Sequence, residues 1–185
     1  MNMLLVVGLG NPGKHYENTR HNIGREIVTE WQKGAGLADF EFNKKLNALV
    51  SKNKKAVLLL PETMMNKSGN AAGPAARFYK VKPQDILVVH DDADLKLGRA
   101  KLSFGKRSAG HRGVESLIRA LKTKDFWRFR IGIAGKRDIP AEKLVLRKWT
   151  EQELRLVKKI TRRTIEALER AITENPERAM NAYNR

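Results

Sequence analysis

Residues 3–22, MLLVVGLGNPGKHYENTRHN, decide how the chain is read. Met3 to Val7 is a short apolar run with the length of a buried parallel strand, and Gly8, Gly10, Pro12 and Gly13 then turn the backbone. In open α/β sheets the loops leaving the carboxyl ends of parallel strands converge on one crevice. The polar residues that follow are therefore aimed at a common cleft: Asn11 in the turn, Tyr16 beyond it, and His21 between Arg20 and Asn22.

Working outward, Ile23, Ile27, Val28 and Trp31 recur at helical spacing and predict a helix from about Asn22 to Lys33, stopped by Gly34 and Gly36. Phe40 to Lys45 reads as irregular. Two strands, about Asn47–Ser51 and Ala56–Leu60, flank a polar turn and predict a hairpin. Ser68 is placed to cap a small-residue helix over about Gly69–Tyr79. Ile86–Val89 is another buried strand, ending in the polar run His90 to Asp94, and Lys101–Phe104 has the alternation of an edge strand. Val114, Leu117, Ile118 and Leu121 give a helix its core face, and Phe129, Ile131 and Ile133 alternate with Arg128, Arg130 and Gly132 as a strand. Lys136–Lys148 reads as basic loop. Thr150 and Glu153 form a capping box ahead of a long amphipathic helix that stops at Asn175 and Pro176. Residues 1–185 are thus expected to form one domain, α/β in class: three α/β/α layers, a mixed, mostly parallel twisted sheet and a long C-terminal helix.

Composition narrows the functions. The 185 residues contain no cysteine, which removes disulfides, thiolate nucleophiles and cysteine-zinc clusters and leaves His, carboxylates, hydroxyls and amides for any catalysis. No apolar run reaches membrane-spanning length and the chain enters a strand at once, so the expectation is a cytoplasmic protein without membrane span or signal peptide. Lysine and arginine number 37 against 20 acidic residues, a net charge of +17, and nucleic acid is the natural partner for that excess. A solubilising surface is the plainer reading of the same charge.

Gly8, Gly10 and Gly13 satisfy G-x-G-x-x-G, yet a dinucleotide site needs a helix starting within the motif, and Pro12 and a polar run follow instead. His21 is the leading catalytic candidate because imidazole titrates near neutrality, with a helix-capping histidine as the competing reading. Asp91 on a neighbouring strand can fix its tautomer, and Asn11 and Asn66 can hold a substrate carbonyl or a developing oxyanion. The acids from His90 to Asp94 also permit a magnesium site or simple ion pairs. Met64 and Met65 are core filler or the wall of an apolar pocket.

GLGNPG (8–13), Tyr16, TRHN (19–22), MNKSG (65–69), HDDADL (90–95), AGHRG (109–113), RFRIGI (128–133) and AMNAYN (179–184) resemble, in order and spacing, the bacterial peptidyl-tRNA hydrolase family over nearly the whole chain. The resemblance implies a monomeric esterase, free of metal and cofactor, that cleaves peptide from the 3′-terminal ribose of tRNA and recycles tRNA from aborted translation. His21 then matches the catalytic histidine, with Asp91 as its partner and Asn11 and Asn66 positioning peptide and ester. Tyr16, Met64 and Met65 line the substrate channel, His111 lies near the peptide, and Arg130 clamps the tRNA 5′-phosphate with a lysine. Arg112 stands where the family has asparagine, and is expected to grip a phosphate. Ser103 stands where the family has the clamp lysine, leaving Lys101 or Lys106 to replace it. The alternative from another class is a non-catalytic RNA-binding paralogue of the same fold.

Overall fold

The computed structural model describes residues 2–34, 36–135 and 139–184. A seven-stranded sheet runs in the order β2-β3-β4-β1-β5-β7-β6. Its centre is β1 (Leu4–Gly8), between β4 (Ala56–Pro61) and β5 (Ile86–Lys96), and β7 (Trp127–Ala134) lies beyond β5. These four strands are mutually parallel. β2 (Glu41–Asn43), β3 (Ala48–Lys52) and β6 (Ala100–Phe104) add antiparallel edges, so the sheet is mixed.

Central strands covered on both faces must be apolar throughout, as LLVVG, AVLLLP and ILVV are. Alternate side chains then enter two separate cores. Leu4, Val6, Leu87 and Val89 pack under α1 (Ile23–Gly34), α5 (Glu151–Thr173) and α6 (Pro176–Tyr183). Leu5, Val7, Ile86 and Val88 pack under α2 (Gly69–Phe78) and α3 (Arg112–Leu121) on the other face, which makes three layers. The stripe of α1 is the expected Ile23, Ile27, Val28 and Trp31. The capping box forms: Thr150 accepts from the Glu153 amide and Glu153 accepts from the Thr150 amide.

Four expectations are corrected. The stretch over 40–45 contains β2, because the free edge of β3 supplies pairing that Phe42, itself 58% exposed, gives no sequence sign of. Ser68 has helical dihedrals and donates its hydroxyl to the Met65 carbonyl, so it closes the preceding turn instead of capping α2. β5 runs on to Lys96, because β7 continues to pair with it past the polar run. The long helix is followed by α6, for which Asn175 is the cap and Pro176 the first residue, so the stop signal also starts a helix.

Gly24 sets the approach of α1. A Cβ there would lie 2.0 Å from the Val89 carbonyl oxygen, and the Arg25 amide donates to Leu9 at 2.9 Å. Only glycine lets the helix start flush on the ends of β1 and β5, where His21 must sit.

Candidate active site

His21 lies in a single 3₁₀ turn, Arg20–Asn22, directly before α1. Its ring Nδ1 is 2.9 and 3.0 Å from the two carboxylate oxygens of Asp91 on β5. The same carboxylate receives His111 Nε2 at 2.8 Å. His111 is the N-cap of α3, and its Nδ1 accepts from the amides of Gly113 and Val114 at 3.1 and 3.2 Å. A nitrogen that accepts two N–H groups is unprotonated, so the His111 proton is on Nε2, donated to Asp91. His21 likewise donates from Nδ1, which leaves its Nε2 lone pair for the cavity. Asp91 is 1% exposed, and burial alone would push its carboxyl upward. His111 and His21 outweigh that and hold it well below the ordinary carboxylate range.

Behind this trio, His90 is buried and donates from Nδ1 to the Asp91 carbonyl at 2.6 Å. Burial first, then the neighbouring His111, keeps its imidazole well below the ordinary value and therefore neutral.

A cavity of about 1020 Å³ opens in front of His21 and Asp91. Asn11, Tyr16, Met64, Met65, Asn66, His111 and Arg112, all singled out in the sequence, line it. Asn11 is locked: its amide donates to Asn22 Oδ1 and its carbonyl accepts from Asn22 Nδ2, each at 2.9 Å. The side-chain oxygen of Asn11 accepts the Met65 amide at 2.7 Å. Its oxygen is thus already engaged by the Met65 amide, and its Nδ2 is left as a donor for the cavity. Met65 is buried against α3 while Met64 is 44% exposed, so Met64 is an open part of the wall and Met65 joins the wall to the core.

The basic trio lies elsewhere. Arg130, Lys101 and Lys106 are not among the residues lining the cavity. Arg130 donates from Nε to buried Asp92 at 2.6 Å. Sheet register puts Lys101 opposite Arg130, whereas Ser103 is opposite Arg128. Arg128 is 1% exposed; burial, then the charge of Arg130, lower its guanidinium to about 10, and it donates to the Arg107 carbonyl at 2.8 Å. Arg130 is thus the partly exposed arginine of β7, and Arg128 braces the β6–α3 loop from inside.

One wall was not expected. Lys136–Asp138 lie outside the described residues, but Pro140, Ala141, Glu142, Val145, Leu146 and Lys148 line the cavity, and Ala141–Leu144 is a short helix, α4, within the stretch read as loop. This strap is hydrogen-bonded to the His21 turn: the His21 amide donates to the Val145 carbonyl at 2.9 Å and the Arg20 amide to the Arg147 carbonyl at 3.0 Å. Arg20 in turn grips Glu153 at 2.8 Å and lies over the Trp149 ring. His15, Lys14 and Lys148 also reach the cavity. Lys14 and His15 sit in the turn beside Tyr16, whereas Lys148 arrives by backbone pairing with Thr19, which no side-chain pattern marks.

The glycines do not form a dinucleotide cradle, since α1 begins only at Ile23; Cβ atoms at Gly8 and Gly10 would collide with Gly24 and Arg25 of that helix, and close packing is their use. The acids of β5 do not converge either. Asp91 turns to the histidines and Asp92, one residue on, to Arg130.

Comparison with known proteins gives a consistent result. The family model described as peptidyl-tRNA hydrolase matches residues 5–185. Curated relatives named peptidyl-tRNA hydrolase include one from Mycobacterium sp. (strain KMS), 41% identical with 96% of this chain and 95% of that protein covered. Another, from Aquifex aeolicus (strain VF5), is 40% identical with 100% and 98% covered. The crystal structure of peptidyl-tRNA hydrolase from Acinetobacter baumannii superposes with a TM-score of 0.90 at 30% identity, covering 98% of this chain and 94% of that one. With the fold, the linked motifs and full-length relatives in agreement, the chain belongs to the peptidyl-tRNA hydrolase family.

Proposed function

We propose that this chain hydrolyses the ester between a peptide and the 3′-terminal ribose of tRNA, with His21 as general base and no metal ion. The observation that carries the mechanism is the Asp91 carboxylate shared by His21 and His111, which leaves His21 Nε2 as a base facing the cavity. Nε2 takes a proton from water as the water oxygen attacks the ester carbonyl carbon. The resulting oxyanion meets N–H donors, Asn11 Nδ2 and the side chain of Asn66, and Asp91 stabilises the imidazolium. Collapse breaks the bond to the ribose oxygen, which takes the proton from His21. The products are a free peptide acid and tRNA with its 3′-hydroxyl restored.

His21, Asp91 and His111 bring three ligand-type atoms within 4.8 Å of one another, as a metal site would. The hydrogen bonds argue for a carboxylate–imidazole relay instead. His111 Nδ1 accepts two backbone amides, so Nε2 keeps its proton and has no lone pair for an ion. Tyr16 and Met64 form walls for the peptide and terminal nucleoside, and Lys101 with Arg130, side by side on β6 and β7, is the pair we assign to the tRNA 5′-phosphate. Lys106, exposed on the following loop, is the weaker choice of lysine. The protein acts as a monomeric, single-domain cytoplasmic enzyme returning tRNA from aborted translation. Among the described residues no helix is long and apolar enough to cross a membrane.

The test is single-turnover release of labelled peptide from peptidyl-tRNA in EDTA, wild type beside His21→Ala. Release by wild type, slower by about 10²–10⁴ in the variant, is expected. Binding without release, or restoration of release only by a divalent ion, would refute the mechanism.

A further inference from the structure

We infer that Arg112 is a specificity-determining residue that reads the phosphate on the 5′ side of the substrate's terminal nucleoside; this rests on the peptidyl-tRNA reading above. Arg112 is the first residue of α3, exposed on the cavity wall and adjacent in sequence to His111, which holds Asp91. The two arginines that flank His21 in sequence are engaged by carboxylates, Arg20 by Glu153 and Arg25 by Glu62. Among the described residues no carboxylate lies within ion-pair distance of Arg112.

Three of the amides at this helix end are already used. His111 Nδ1 takes the amides of Gly113 and Val114, and the His111 carbonyl takes that of Glu115. The guanidinium is therefore the anion-binding group, with donors only and a fixed positive charge. An ester substrate presents no carboxylate at its reacting end. The anion nearest to that end is the phosphodiester one sugar away, and a guanidinium matches two phosphate oxygens with parallel N–H donors. Charge neutralised there adds affinity that falls with salt.

The experiment compares N-acetylaminoacyl esters of adenosine and of adenosine 5′-monophosphate, which differ by one phosphate, in wild type, Arg112→Gln and Arg112→Lys, with peptidyl-tRNA as the reference substrate. Wild type is expected to favour the phosphorylated ester in kcat/KM by about tenfold, mainly through KM. The preference falls toward one in Arg112→Gln and is partly kept in Arg112→Lys. A preference that survives in Arg112→Gln places the phosphate contact elsewhere and overturns the inference. Equal losses on both esters also overturn it, since they assign Arg112 to the oxyanion or to packing. If wild type cleaves peptidyl-tRNA in a His21-dependent way but does not distinguish the esters, the inference falls and the hydrolase reading stands. If His21→Ala cleaves peptidyl-tRNA as fast as wild type, the underlying mechanism itself has failed.

Discussion

His111 holds two structures together, and its substitution separates them. The ring caps α3 through Nδ1 and donates to a buried carboxylate through Nε2; the two side chains in that second contact are 8% and 2% exposed. Loss of a side-chain cap costs about 1 kcal/mol. A hydrogen bond to a charged partner contributes about 1.5–3 kcal/mol, and here its loss leaves Asp91 with one donor fewer inside the protein. His111→Ala should therefore destabilise by about 2.5–4 kcal/mol. Asparagine can still cap from Oδ1 but is too short to reach Asp91, so His111→Asn should recover about 1 kcal/mol of that loss. Urea unfolding at pH 7 measures both, and an Asp91→Asn background closes the double-mutant cycle. Turnover should fall moderately in both variants, by about tenfold, because His21 still contacts Asp91. The reasoning is refuted if alanine and asparagine destabilise equally, or if His111→Ala is as inactive as His21→Ala while still folded, since His111 would then be moving the proton itself.

Gly24→Ala places a Cβ 2.0 Å from the Val89 carbonyl, so α1 must shift. We expect a loss of about 1–3 kcal/mol in thermal or urea unfolding and slower turnover as His21 moves with the helix; a variant of wild-type stability would show that the helix was not held at contact. His90 is kept neutral in the folded state, so below about pH 6.5 the unfolded chain binds a proton that the folded one does not. Stability should fall with decreasing pH by up to about 1.4 kcal/mol per unit from this residue, and His90→Asn should flatten the slope measured by urea unfolding between pH 7 and 5; identical slopes would contradict the assignment. Lys101→Ala should lower the slope of log tRNA affinity against log salt by about one, and an unchanged slope would mean that the phosphate is gripped elsewhere.

Much of the fold was legible because the elements that build the core carry strong periodicity. Ile23, Ile27, Val28 and Trp31 form one stripe in any helix, and LLVV and ILVV suit only strands covered on both faces. Elements defined by a partner were not legible. β2 exists because β3 has a free edge, and the strap over 139–148 is placed by amides of Arg20 and His21 meeting carbonyls of Arg147 and Val145. Backbone pairing is nearly blind to side-chain type, so no residue pattern announces it.

The residues of the site follow the same division. The sequence alone determined which groups are present: one histidine at the mouth of a strand-turn-helix, an acid on a neighbouring strand, amides in two loops and a large excess of positive charge. Those are properties of composition and short-range spacing, and they survive without coordinates. Tertiary structure decided what each group can do. It set His111 Nε2 on Asp91, engaged the Asn11 side-chain oxygen with the Met65 amide, and buried Arg128 while leaving Arg112 on the cavity wall. The physical reason is that protonation state, donor direction and charge pairing depend on atoms a few ångströms away in space, and in this chain those atoms come from residues 20 to 70 positions apart.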